Sequence, residues 1–325
     1  MALITYREAM SRALREALNE DERAFIVGED IGPYGGTYAV TRGFFEEFGP
    51  DRIMDSPLSE SGIVGMGVGA AIAGLRPIVE IMTINFTLLA LDQIVNHAAK
   101  LRYMSGNQLE VPLIIRSTTG GGTQVGATHS QSLEGWFATV PGLKVVVPST
   151  GSDALGLFRA CRDEMDPVIF LEHSRLYSHK SEVSDDNFKI PLGQADVKRE
   201  GGDLTIISYS AMVHVALEVA DRLSKEGTEV EVIDLRTIRP WDETTVIESV
   251  EKTHKAIVVE EACKTGAFGA EIVSTIQSKA FDSLDGPVQR LAGEDVPMPY
   301  SRHIEKLSIP DAERLVTLAK SMLVS

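Results

Sequence analysis

Pro57-Leu58-Ser59-Glu60-Ser61-Gly62-Ile63-Val64-Gly65-Met66-Gly67-Val68-Gly69-Ala70 sets one carboxylate at the head of an apolar, glycine-rich run. No charge follows until Arg76, and small residues recur four apart, Gly65 with Gly69 and Ala70 with Gly74. That spacing reads as a helix over 62–73 with a smooth face for close approach of another backbone. Directly after it, residues 77–82 form an apolar run of strand length. Strands that are apolar throughout, alternating with helices, indicate a parallel sheet covered on both faces. The fold class is therefore α/β.

The same rhythm extends in both directions. Upstream, Thr5 can cap a helix whose face carries Ala9, Met10, Ala13, Leu14 and Leu18, and Ala24–Gly28 is a strand. Downstream, strands are expected at 111–116, 143–147 and 168–171, with helices at 88–104 and 152–165. Residues 178–202 break the pattern with a polar stretch that includes Ser184, Asp185, Asp186 and Asn187. The alternation then restarts, with strands at 204–208, 229–234, 256–259 and 288–291. Helices are expected at 213–225, 244–253, 269–281 and 311–322, the last introduced by Ser308 and Pro310. The chain thus divides into a domain over 1–180, a linker over 181–202 and a domain over 203–325.

Composition narrows the function classes. A formal net charge of −16 argues against sequence-independent binding to DNA or RNA, which needs a basic surface. The plainer meaning of the acidity is solubility; the sharper one is attraction to a basic protein partner. No apolar stretch reaches bilayer-spanning length, so no membrane segment is expected. The start of the chain shows no basic lead followed by an apolar block, and no signal peptide is read there. Cys161 and Cys263 are isolated and make no disulfide framework, which fits a reducing, cytoplasmic compartment. None of the seven histidines has a helix-spaced or cysteine partner that would suggest a metal centre.

Three segments could carry chemistry. Gly65-Met66-Gly67-Val68-Gly69-Ala70, with Glu80 beyond it, loosely fits a dinucleotide fingerprint and would make the chain a Rossmann-type NAD-dependent dehydrogenase. Against this, residues 56–64 separate the glycines from any strand. Glu60 reads either as a first-turn acid favoured by the helix dipole behind a Ser59 cap, or as a partly buried acid–base group. The stretch 120–131, three glycines leading to Thr128-His129-Ser130-Gln131, is either a mobile surface loop or a wall of a ligand crevice at a strand's carboxyl end. A non-catalytic packing subunit is the third class left open.

Longer motifs settle among these. Pro57-Leu58-Ser59-Glu60, Met82-Thr83-Ile84-Asn85-Phe86 and Asp92-Gln93-Ile94-Val95-Asn96 resemble the β subunits of the thiamine-diphosphate-dependent 2-oxo acid dehydrogenases. So do His129-Ser130-Gln131, Pro141-Gly142-Leu143-Lys144-Val145-Val146, Leu235-Arg236-Thr237-Ile238-Arg239-Pro240 and Asp295-Val296-Pro297-Met298-Pro299-Tyr300. The resemblance runs from Tyr6 to the C-terminus and leans to the pyruvate branch over the branched-chain and acetoin branches.

It implies an N-terminal pyrimidine-binding domain and a C-terminal transketolase-type domain. Glu60 matches the glutamate that hydrogen-bonds N1′ of the aminopyrimidine and favours the tautomer able to take the thiazolium C2 proton. Phe86 matches the aromatic against the pyrimidine, with Leu58 as an apolar wall. His129 matches an active-site histidine for proton handling or for guiding the lipoyl arm. Potassium, held in some members by backbone carbonyls, would fall at Leu113, Cys161, Arg162, Glu164 and Asp166. The Gly-Asp-Gly segment that holds magnesium and the diphosphate is absent from the chain, which implies an α subunit, an α2β2 heterotetramer and a lipoyl acyltransferase partner.

Overall fold

The computed structural model describes residues 2–184 and 186–323. Met1, Asp185 of the expected linker, and Val324 and Ser325 at the end of the expected second domain lie outside the described residues. The chain forms two compact units, Met1–Thr119 with Trp136–Leu192, and Gly120–Gly135 with Gly193–Ser325.

The first unit contains a parallel sheet in which neighbouring strands run in the order Ile53–Asp55, Ala24–Gly28, Arg76–Ile81, Ile114–Thr119, Val168–His173 and Lys144–Val146. Helix Tyr6–Glu20 begins with a capping box between Thr5 and Glu8. It buries Ala9, Met10, Ala13, Leu14 and Leu18, the face read from the sequence, and packs on helix Gly151–Cys161. Fully burying a Leu or Met side chain is worth about 1.5–3 kcal/mol, so this stripe fixes the helix more firmly than its propensity does. Strand Ala2–Thr5 pairs antiparallel with Lys180–Val183.

The second unit has its own sheet, ordered Gln289–Gly293, Ala256–Cys263, Leu204–Ser208, Val230–Asp234 and Asp196–Arg199. Its strands are parallel except the edge strand Asp196–Arg199, which runs antiparallel. The polar stretch read as a linker therefore contributes strand residues at both of its ends, Lys180–Val183 and Asp196–Arg199.

Several expectations are corrected. The strand expected at 111–116 lies at Ile114–Thr119, because Pro112 has no N–H to give the ladder. The single helix expected over 88–104 is a 3₁₀ turn Ile84–Ala90, a π-helical stretch Gln93–Ala98 and a short α-helix Ala99–Met104. The last helix, Ala312–Leu323, starts from Asp311, whose carboxylate accepts the Arg314 N–H at 2.8 Å. Ser308 instead closes the preceding helix, Arg302–Ser308.

Candidate functional site

Three adjacent parallel strands of the first unit deliver side chains to one edge. The chain passes from Ala24–Gly28 to the strand on one side of it, Ile53–Asp55, and then to the strand on its other side, Arg76–Ile81. This reversal opens a crevice at the carboxyl ends, the general ligand position in open α/β sheets. Glu29 follows the first strand directly, Glu60 heads the helix after the second, and Phe86 lies in the turn after the third. Helix Glu60–Ile72 packs on the 3₁₀ turn that carries Phe86.

Glu60 is buried, with 7% of its surface exposed. Ser59 occupies the cap position but does not cap: its hydroxyl donates to the Pro57 carbonyl at 3.2 Å. Among the described residues none donates a hydrogen bond to the Glu60 carboxylate. Beside it lies Glu29, also 7% exposed, with neither carboxylate oxygen hydrogen-bonded. Burial first, then the charges of Glu60 and Asp30, raise the Glu29 pKa, and the nearby Ser59 N–H offsets this only slightly. Two buried acids without cationic partners are unfavourable for folding alone. The pair suits a ligand that brings a ring nitrogen or a proton to share. Phe86 is half-buried, whereas Leu58, expected as an apolar wall, is 78% exposed in the isolated chain.

Glu29 escaped the sequence reading. An acid followed by Asp30 after a strand looks like an ordinary turn. The signal that could have found it is position: it is the first residue past a fully apolar strand at the point where strand order reverses.

The dinucleotide alternative does not survive. Gly65, Gly67 and Gly69 lie inside helix Glu60–Ile72, not in a strand-to-helix turn. A Cβ on Gly67 would meet Val79 Cγ2 at 2.7 Å and Leu113 Cδ1 at 3.1 Å, so the glycine serves packing on the sheet. Glu80 is not open to a ribose: it is buried and ion-paired with Arg116, which also grips Glu172 through two nitrogens.

The family model described as "Transketolase, pyrimidine binding domain" matches residues 2–180, and "Transketolase, C-terminal domain" matches 193–315. The pyruvate dehydrogenase E1 component subunit β-2, mitochondrial, of Oryza sativa subsp. japonica is 46% identical over 98% of this chain and 85% of the relative. The pyruvate dehydrogenase E1 component subunit β of Rhizobium meliloti is 46% identical over 99% of this chain and 70% of its own length. The chain belongs to the pyruvate dehydrogenase E1 β-subunit family. That family is one of oxidoreductase subunits; the chain is also similar to a 2-oxoisovalerate dehydrogenase subunit β from Bacillus subtilis, at 44% identity over 97% of both chains. A split-gene transketolase, solved as an inactive β4 tetramer, superposes with a TM-score of 0.82 over 99% of both chains; at 22% identity this speaks to the fold alone.

In this E1 β-family chain, His129 lies in the second compact unit and is exposed. Its Nδ1 is 3.0 Å from the Thr128 hydroxyl, and its backbone N–H donates to the Gly126 carbonyl at 3.2 Å. The positions expected to hold potassium lie at or near the amino end of the first unit's sheet, but the carbonyls of four of them already have partners. Arg76 donates to the carbonyls of Arg162 and Glu164 at 3.4 and 2.9 Å, the Leu113 carbonyl accepts from Val168, and the Cys161 carbonyl accepts from Glu164. Asp166 pairs with Arg102 at 3.0 Å. A guanidinium on two of the expected ligands does not fit a potassium cage.

Proposed function

We propose that this chain is the β subunit of a pyruvate-decarboxylating E1 enzyme that works in the cytoplasm as an α2β2 heterotetramer. The assembly carries out oxidative decarboxylation of pyruvate and passes the acetyl group to a lipoyl arm of an acyltransferase component. The observation that carries this reading is the buried Glu29 carboxylate, without a hydrogen bond, beside the buried Glu60 at the sheet's switch point, in a chain whose relatives are named E1 β subunits.

Bound thiamine diphosphate would supply an electron sink for the bond electrons left when carbon dioxide departs. Glu60 would hold and move the proton at N1′ of the aminopyrimidine; among the described residues none donates to its carboxylate, which leaves it for that contact. Glu29, carrying a raised pKa, would keep the pocket from holding two full negative charges. Phe86 would lie against the pyrimidine ring, and Leu58 would become an apolar wall once an α chain covers it. The diphosphate and its magnesium would be held by that α chain. His129 would act later, on proton handling or on the lipoyl arm.

Glu60→Gln in the assembled enzyme tests the central role. Folding and assembly should persist, and exchange of the cofactor C2 proton should slow by on the order of 10²–10⁴-fold, the range for a lost acid–base group. Fast exchange in the variant would remove Glu60 from this role. The B. subtilis relative keeps a branched-chain substrate as the second reading. Comparing kcat/KM for pyruvate with that for 2-oxoisovalerate decides between them.

A further inference from the structure

Residues 120–135 are flanked by the first unit yet belong to the second, and their tether is specific. Glu305, in helix Arg302–Ser308, is 2% exposed, and its Oε1 accepts the backbone N–H groups of Gly122 at 3.0 Å and Gln124 at 3.1 Å. Glu261 accepts the N–H of Gly121. The turn so held is conformationally demanding: Gly120, Gly122 and Gly126 have φ of 87°, 90° and 78°, and Gln124, which has a side chain, has φ of 62°. The glycines take positive φ at no steric cost, but a residue with a side chain such as Gln124 stays there only where its surroundings over-determine it. Tyr300 completes the hold. Its ring lies so close to Gly126 that a Cβ there would sit 2.3 Å from Cζ. His129 follows three residues later, with its backbone N–H on the Gly126 carbonyl.

We propose that Glu305 is a positioning residue, whose buried carboxylate fixes the 120–126 turn and thereby where His129 is presented to the acceptor. The inference rests on the role given above to His129. One oxygen receives two neighbouring N–H groups, so the requirement is for an acceptor at that point, not for a charge. A Gln amide oxygen can meet it and an Ala cannot.

The experiment uses the assembled α/β enzyme carrying Glu305→Gln, Glu305→Ala, His129→Ala and the Glu305→Ala/His129→Ala double. Gly126→Ala is included because it disturbs the same turn from the loop side should Glu305→Ala fail to fold. Acetyl transfer to a lipoyl domain and amide exchange across 120–131 are measured. Glu305→Ala and Gly126→Ala should speed loop exchange and lower acetyl transfer by on the order of 10²-fold, the penalty of misplacing a group by about 1 Å. Glu305→Gln should keep most of the transfer, and the double variant should be no worse than His129→Ala alone. If His129→Ala is costly but Glu305→Ala is neutral, or if their losses add, the proposal fails by itself. If His129→Ala leaves transfer unchanged, the role of His129 fails and takes this proposal with it.

Discussion

Glu29 and Glu60 follow neighbouring strands of the first unit, and the titration of Glu29 has a consequence that can be measured without any partner. Burial, then Glu60 and Asp30, make ionised Glu29 less favourable in the fold than in the unfolded chain. Its folded pKa is raised, so no penalty exists while it is protonated in both states. The penalty develops as pH climbs from the ordinary glutamate range through the raised value, and above that it is complete. Glu29→Gln should therefore raise the melting temperature at neutral pH, and the gain should vanish on acidification into the ordinary glutamate range. A gain that grew toward acid pH would reverse the sign argued here. At this scale the place of Glu60 at the head of a glycine-rich helix was legible from the sequence. Glu29 was not, because nothing local marks a turn acid as buried, and Glu305 was not, because the loop it holds lies more than 180 residues away at Gly122.

Elements show where periodicity suffices and where it stops. Helix Tyr6–Glu20 buries its expected stripe because a capping box and an amphipathic pattern specify the same turn and the same face. Helix Glu60–Ile72 has no polar face; its glycines set its depth against the sheet. Gly67→Ala should overpack Val79 and Leu113 and destabilise the first unit by about 1–3 kcal/mol, read as a lower denaturant midpoint with an unchanged slope. An unchanged midpoint would mean that the helix slides freely on the sheet. A single helix was expected over 88–104, yet the stretch 84–104 splits into 3₁₀, π and α pieces. Asn85 and Thr87 are buried in the first piece, where Thr83 donates to Asn85 at 2.7 Å and Thr87 donates to the Ile84 carbonyl. Local side-chain hydrogen bonds of this kind compete with the regular helix ladder. Deeper in the sheet, Arg116 bridges Glu80 and Glu172. Arg116→Met should cost about 3–5 kcal/mol, because it leaves two buried carboxylates without their cation. Calorimetric unfolding of the variant at neutral pH gives the number, and a loss below about 1 kcal/mol would exclude an essential role for the bridge.

For the molecule as a whole, the formal charge of −16 is joined by exposed apolar residues before, on and after the glycine-rich helix. Leu58 is 78% exposed, and Met66, Ile72 and Leu75 on or after the glycine-rich helix are 42%, 37% and 40% exposed. A partner that covers this face and supplies the diphosphate and magnesium end follows from the proposed function. Calorimetry of the isolated chain with thiamine diphosphate and magnesium should show no binding in the micromolar range, since aromatic and single-carboxylate contacts fall short of the roughly 8 kcal/mol that such affinity needs. Adding the α chain should restore binding and turnover together. Micromolar binding by the chain alone would mean that the whole cofactor site is built here.

The sequence by itself determined the α/β class, the strand–helix alternation in both halves, the buried face of the first helix and the family, through motifs spread from Pro57 to Tyr300. These depend on local periodicity, caps and short contiguous patterns. Only the tertiary structure decided that Glu29 stands unpartnered beside Glu60 and that Glu80 is sealed by Arg116. It alone showed that Arg76 occupies carbonyls expected of a metal site, and that Glu305 holds the loop of His129. Each of these depends on which strands lie side by side, or on a contact between residues far apart in the chain. Burial and the cost of an unpaired charge are properties of that arrangement, and no local pattern of residue types encodes them.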